Sequence, residues 1–140
     1  MTCFFFWHGL CSKEYIMFAK KNVDVLLIDD EAPFLNDLAE GLRLNSQRLQ
    51  IITASTAEKA LEMLRACKFD VVVTDLNMPG MNGYQVLREV DQRHPGTPVI
   101  IMSAYSRNSV EDRLDGLRFT GYIEKPLDLR EITETILDAG

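Results

Sequence analysis

The chain has 140 residues, of which 46% are hydrophobic and 26% are charged, and this composition suits one soluble domain with a single sizeable core. Its formal net charge of −6 argues against direct nucleic-acid binding, which needs a basic patch. No stretch approaches the roughly 18 apolar residues of a membrane span. Three scattered cysteines form neither a metal-binding spacing nor a disulfide framework, which favours a reducing compartment such as the cytoplasm.

Residues 1–21 are expected to form an N-terminal extension, and residues 22–140 the main domain. The extension contains an apolar cluster, Phe4–Trp7, with no basic residue before it and no convincing cleavage pattern after it, which argues against a signal peptide. Two interpretations stay open. The segment is either an extension or a mis-chosen start outside the domain, or it is an apolar anchor that docks on the domain or on a partner.

From Val23 onward, short apolar runs alternate with segments of helical periodicity. The predicted elements, in chain order, are strand Val23–Asp29, helix Pro33–Asn45, strand Leu49–Ala54, helix Ser55–Cys67, strand Asp70–Asp75, helix Gly83–His94, strand Pro98–Ala104, a weak helix Asn108–Leu117, strand Gly121–Lys125 and helix Pro126–Leu137. This alternation predicts a parallel sheet with helices on both faces.

Helical spacing also predicts which side chains face the core. Ser55 and Glu58 have the spacing of a capping box at the start of the second helix. The expected inward residues are Phe34, Leu35, Leu38 and Leu42 in the first helix, Ala57, Ala60, Leu61 and Leu64 in the second, Val86, Leu87 and Val90 in the third, and Leu129, Ile132 and Ile136 in the last.

Chemically active residues follow several of the predicted strands. Asp29 and Asp30 end the first strand, Asp75 the third, Ser103 the fourth and Lys125 the fifth. The carboxyl ends of parallel strands share one edge of the sheet, so these side chains are expected to meet there. A hard divalent cation such as Mg²⁺ offsets the repulsion between clustered carboxylates. With a lysine and a hydroxyl beside them, they form the ingredients of a phosphoryl-transfer site.

Four segments together, "LLIDDE", "VVTDLNMPGMNG", "IIMSAY" and "GYIEKP", resemble the receiver domain of two-component response regulators, the CheY-like superfamily. The resemblance covers Val23 to about Leu137. It implies a single doubly wound, five-stranded parallel sheet of flavodoxin-like (βα)5 architecture, with strand order 2-1-3-4-5. It also implies a phospho-acceptor domain rather than an enzyme, with only self-directed phosphotransfer and slow autodephosphorylation.

The resemblance assigns a role to each residue at the strand ends. Asp75 is the expected phospho-acceptor, which takes a phosphoryl group from a sensor histidine kinase or a phosphotransfer protein. The expected Mg²⁺ ligands are Asp30, Asp29, Asp75 and the backbone carbonyl of Asn77. Lys125 is expected to pair with the phosphoryl group, and the peptide bond to Pro126 is expected to be cis. Gly83 is expected to keep a side chain away from the site.

A switch is implied as well. Ser103 is expected to move toward the phosphoryl group, and Tyr122 to rotate into the space it leaves, while Tyr105 lies at the mouth of the site. The surface of the fourth helix, fifth strand and fifth helix would then change, and homodimerisation through it is possible on the same resemblance. The downstream partner is not indicated.

One departure concerns Arg118-Phe119, which stand where receivers have a small Gly-Ala pair, so the packing of the fourth helix is expected to differ. It leaves open a pseudo-receiver, which would act as a binding module independent of phosphorylation. A metal-dependent phosphohydrolase with an aspartyl nucleophile is less compatible, because "IDDEAP" lacks the Asp-x-Asp spacing. A flavodoxin-like cofactor binder lacks the phosphate loop after the first strand.

Overall fold

Strands and helices alternate through the parts of the chain that the structure, a computed structural model, describes: residues 22–77 and 82–140. The elements are β1 (Val23–Ile28), α1 (Ala32–Asn45), β2 (Leu49–Ala54), α2 (Ala57–Ala66), β3 (Val71–Asp75), α3 (Gly83–Arg93), β4 (Val99–Ser103), α4 (Arg107–Leu114), β5 (Gly121–Glu124) and α5 (Leu129–Ala139). All ten predicted elements are present, with bounds that differ by a few residues at most of their ends.

The strands form one parallel sheet in the order β2-β1-β3-β4-β5, which confirms the expected fold class. The register brings the strand ends together. Ile28 pairs with Thr74, so Asp29 and Asp75, the next residue of each strand, become neighbours. Ser103 pairs with Glu124, which places Lys125 directly beyond the end of β4.

Two apolar cores enclose the sheet. One side carries α1 and α5, and the other carries α2, α3 and α4. All five residues of β3 are buried, because a central parallel strand is covered on both faces. Each aliphatic side chain buried in this way contributes roughly 1.5–3 kcal/mol, which makes β3 a stiff support for the residues at its end.

The helix ends show two local errors in the sequence-based interpretation. The predicted capping box of Ser55 and Glu58 is wrong, since α2 begins one residue later and Thr56 is its N-cap, accepting from Lys59 N at 3.1 Å. A complete capping box occurs instead at α3, between Asn82 and Gln85.

The second error concerns α5, where Leu129 is not inward-facing but 37% exposed. Thr133 is buried in its place. Its hydroxyl can be buried because it donates to the carbonyl of Leu129 at 2.7 Å and accepts from Asn45 Nδ2 at 3.0 Å. The short helix α4 is anchored by two buried residues, Val110 and Leu114, as its thin apolar pattern indicated.

Some expectations fall outside the described residues. They are the N-terminal extension with its apolar cluster, and the Met-Pro-Gly turn within residues 78–81. Within the described residues, none of the helices combines the length and apolarity that crossing a membrane requires.

Gly83 begins α3 directly against the end of β3. Its N–H donates to the carbonyl of Leu76 at 3.1 Å. A Cβ built on Gly83 would collide with the carbonyl oxygen of Asp75 and lie 2.7 Å from Cα of Leu76. These obstacles are backbone atoms and cannot rotate away, so the expectation that a side chain would crowd this position is confirmed.

We therefore expect Gly83→Ala to lower the free energy of unfolding by about 1–3 kcal/mol or more, as overpacking against rigid neighbours does. Gly96→Ala is the matched control, because a Cβ there meets nothing within 4 Å and its effect should stay within about 0.5 kcal/mol. Urea unfolding monitored by circular dichroism measures both. Equal stabilities of the two variants would contradict the close approach.

Candidate functional site

The residues expected at the strand ends lie together at the carboxyl edge of the sheet. Asp29 follows β1, Asp75 ends β3, Ser103 ends β4 and Lys125 follows β5. Residues at three of these positions are linked directly by ion pairs. The structure therefore brings together side chains that lie up to 96 positions apart in the sequence.

Lys125 is the centre of the site. Its Nζ donates to Asp29 Oδ2 at 2.9 Å and to Asp75 Oδ2 at 3.2 Å. The side chains of Lys125, Asp29 and Asp75 are only 17%, 0% and 9% exposed. Burial alone would lower the pKa of Lys125, but the hydrogen bond to Asp29 and the charges of Asp75 and Asp29 outweigh it, so the pKa is raised. The Lys125-Pro126 peptide bond is cis, as expected.

The two adjacent aspartates have different environments. Asp29 is fully buried, and its two oxygens accept from Glu31 N at 2.9 Å and from Lys125. Asp30 is exposed. The pKa of Asp30 is raised, first because partial desolvation disfavours its charged form and then because of the nearby charge of Asp29. A cation bound beside Asp30 would favour its charged form.

Oxygen atoms of Asp29, Asp30 and Asp75 lie within 4.8 Å of one another. Three clustered carboxylate oxygens match the preference of Mg²⁺ for hard oxygen ligands, so the residues fit a divalent cation. Asn77 donates its N–H to Asp75 Oδ1 at 3.2 Å, which fixes the start of the loop after β3 close to the cluster.

The expected switch pair, Ser103 and Tyr122, is joined by hydrogen bonds to the backbone of Tyr105. The Ser103 hydroxyl is fully buried and accepts from Tyr105 N at 3.1 Å. The Tyr122 hydroxyl donates to the Tyr105 carbonyl at 2.7 Å. Burial raises the pKa of Tyr122, and its interaction with Ser103 only partly offsets this. The Tyr105 side chain is 54% exposed, so it is the backbone of this residue that joins the pair.

The unusual Arg118-Phe119 pair makes its own contacts. Arg118 Nε lies 2.6 Å from Asp91 Oδ1, which links the segment before β5 to α3. The Phe119 ring meets the Tyr122 ring edge-on, with 6.5 Å between centroids, and the Arg107 guanidinium lies 5.1 Å from the Phe119 centroid. The departure from the small-residue pattern therefore places an aromatic ring between Tyr122 and the first residue of α4.

Phe34 belongs to the site although sequence reasoning assigned it only to the core face of the first helix. The Lys125 Nζ lies 4.7 Å from the centroid of its ring. Phe34 is half-buried and packs against the core cluster beneath α1 and α5. Its position in the first helical turn after Asp29-Asp30 could have indicated this contact, because that turn must pass the edge of the sheet where the Lys125 side chain lies.

Comparison with known proteins identifies the same segment. The family model for the response regulator receiver domain matches residues 25–137. The transcriptional regulatory protein GlrR of Escherichia coli K12 is 34% identical over 121 residues, which are 85% of this chain and 26% of that protein. The chain thus spans about a quarter of the length of this curated relative.

Solved structures agree. The receiver domain of the putative response regulator NarL from Mycobacterium tuberculosis has a TM-score of 0.76 and 28% identity, over 84% of this chain and 95% of that one. The response regulator TrrA of Thermotoga maritima, crystallised with Mg²⁺ and BeF, has a TM-score of 0.73 and 26% identity, over 84% and 99%. With its fold, its strand-end cluster and these matches, the chain belongs to the response regulator receiver domain family.

Proposed function

We propose that this chain is a phosphorylation-controlled signalling switch whose phospho-acceptor is Asp75. The observation that carries the proposal is the buried arrangement of Lys125 between Asp29 and Asp75, beside a third carboxylate. A structural ion pair needs one carboxylate. Three carboxylates around one lysine hold excess negative charge, which suits a site that binds a metal cation and a phosphoryl group.

In the proposed reaction, a carboxylate oxygen of Asp75 attacks the phosphorus atom of a phosphohistidine on a sensor kinase or phosphotransfer protein. The bond from phosphorus to the histidine nitrogen breaks, its electron pair stays on that nitrogen, and an acyl phosphate forms on Asp75. Lys125 already contacts Asp75 Oδ2, so its ammonium is placed to pair with the incoming phosphoryl oxygens.

Mg²⁺, held by Asp30, Asp29, Asp75 and the backbone carbonyl of Asn77, would supply charge neutralisation to the transferring group. Asp29 has both oxygens occupied by hydrogen-bond donors, whereas Asp30 is exposed. Asp30 is therefore the more direct ligand in this proposal. The phosphodonor is the only external reactant, because the group that accepts the phosphoryl group belongs to the chain itself.

The output of the switch is proposed to begin at Ser103. Once its hydroxyl turns toward phosphoryl oxygens, the N–H of Tyr105 loses its present acceptor, and the Tyr105 carbonyl that holds Tyr122 is free to shift with it. Tyr122 contacts Phe119, and Phe119 contacts Arg107. This chain of contacts leads to the surface of α4, β5 and α5, where a downstream domain, another protein or a second copy would bind.

A pseudo-receiver that works without phosphorylation is the competing function. It is not favoured, because the full set of acidic, hydroxyl and lysine side chains is present at one edge of the sheet. A module under no pressure to handle phosphate gains little from burying several charges that cost desolvation energy.

The first prediction concerns Asp75. Incubation with acetyl phosphate and Mg²⁺ should add the mass of one phosphoryl group to the wild-type chain, and Asp75→Asn should add none, since an amide is no nucleophile for phosphorus. A chelator should abolish the reaction. Asp37→Asn, which changes an exposed carboxylate on α1, is the matched control and should be labelled like the wild type. Intact-mass spectrometry measures the wild type with and without chelator and both variants. Labelling of Asp75→Asn at the same site would contradict the assignment.

The second prediction concerns the charge of Asp30. The pKa of Asp30 is raised in the folded state. The contribution of such an acid to the free energy of unfolding is fully present below the unfolded-state pKa, and it is lost as the pH rises through the folded-state pKa. At neutral pH without divalent cations, Asp30→Asn should therefore be more stable than the wild type. The gain is up to about 1 kcal/mol, the scale of exposed charge interactions.

The same variant tests cation binding. Mg²⁺ should raise the melting temperature of the wild type but not of Asp30→Asn, because a ligand stabilises only the state that binds it. Below about pH 3.8 the stability advantage of Asp30→Asn should vanish. Thermal melts across pH with Mg²⁺ or EDTA measure both effects. Equal Mg²⁺ responses from both proteins would remove Asp30 from the ligand set.

A further inference from the structure

The aromatic ring of Phe34 lies against the charged end of Lys125. The distance from Nζ to the ring centroid is 4.7 Å, within the roughly 6 Å over which an ammonium is attracted by the negative face of an aromatic ring. The two residues come from opposite ends of the domain, Phe34 from the first turn of α1 and Lys125 from the end of β5. Their meeting therefore depends on the tertiary fold.

Phe34 is held in place from below. Its ring is half-buried and packs against the core cluster shared by α1 and α5, as does Leu127, two residues after Lys125. Packing on its core side limits the movement of the ring. It can therefore act as a wall for a flexible lysine side chain, whose four-carbon stem otherwise samples many conformations.

The ammonium needs such a wall. Of its three N–H groups, two donate to Asp29 and Asp75. Asp29 is the nearer partner, at 2.9 Å against 3.2 Å, and an ammonium that lost its contact with Asp75 would still be held by Asp29, away from the phospho-acceptor. The attraction of the ring is independent of both carboxylates. It persists when a divalent cation shares their charge.

We propose that Phe34 is a positioning residue for Lys125, whose ring holds the ammonium between Asp29 and Asp75 and thereby raises the rate of phosphoryl uptake. The inference rests on the proposed function, since it concerns the same site. The cation–π contact is of the size that changes an equilibrium or a rate by about 2- to 5-fold.

The test replaces Phe34 with phenylalanines carrying one, two or three ring fluorines. Fluorination keeps the shape of the ring but withdraws electron density from its face, so a cation–π contact weakens stepwise while packing is kept. Phosphorylation by acetyl phosphate should slow stepwise, by about 2- to 5-fold in total. Phe34→Trp should keep the rate, and Phe34→Leu should lower it to the level of the most fluorinated ring. A rate that does not follow ring electronics would overturn the proposal.

A second measurement does not depend on phosphorylation. Urea midpoints of the same fluorinated series are compared in wild-type and Lys125→Met backgrounds. The midpoint should fall with fluorination when Lys125 is present, relative to the series with Met, because only the ammonium responds to ring electronics. Parallel trends in both backgrounds would overturn the proposal. If the wild type takes up no phosphoryl group, the proposed function fails, and the urea series alone decides whether Phe34 holds the ammonium.

Discussion

The two ion pairs of Lys125 are the interaction on which the site depends. Asp29 is fully buried and Asp75 nearly so, and carboxylates in such positions are costly unless a cation accompanies them. This cation is the ammonium of Lys125, which follows β5. That strand is an edge strand of four residues, of which only Ile123 is buried. The site is therefore complete only when the last and least buried strand has joined the sheet, so the binding edge shares the stability of the whole domain.

A second set of side chains, Ser103 and Tyr122, lies at the same edge. Among the described residues neither forms a hydrogen bond with Asp75, and a backbone connects the two. Tyr105 is the junction, because its N–H meets Ser103 and its carbonyl meets Tyr122. Beyond it, Phe119 places an aromatic ring against Tyr122, at the position where the resemblance implies a small residue. Through Phe119, this chain has a bulkier connection from Tyr122 of β5 to Arg107 of α4 than a small residue at that position would give.

Periodicity and the strand-end rule were enough to predict the sheet and the acidic and basic residues at its edge, because parallel strands bring their carboxyl ends to one side whatever the loops do. Local geometry was harder to predict. Phe34 satisfied a helical core pattern, and its contact with Lys125 depends on how α1 leaves β1. Thr56 displaced Ser55 as a cap through a one-residue shift. Thr133 displaced Leu129 because partners on two elements satisfied its hydroxyl.

Charge balance links these observations to the proposed switch. Asp29, Asp30 and Asp75 with Lys125 sum to −3 + 1 = −2, which one divalent cation neutralises. Phosphorylation then adds about one negative charge, because a dianionic acyl phosphate replaces the carboxylate of Asp75, and no further cationic side chain forms an ion pair with these carboxylates among the described residues. The surplus must be met by neutral donors. In the proposed switch, the buried Ser103 hydroxyl would provide one by turning away from Tyr105, so the cost of unbalanced charge would drive the first movement.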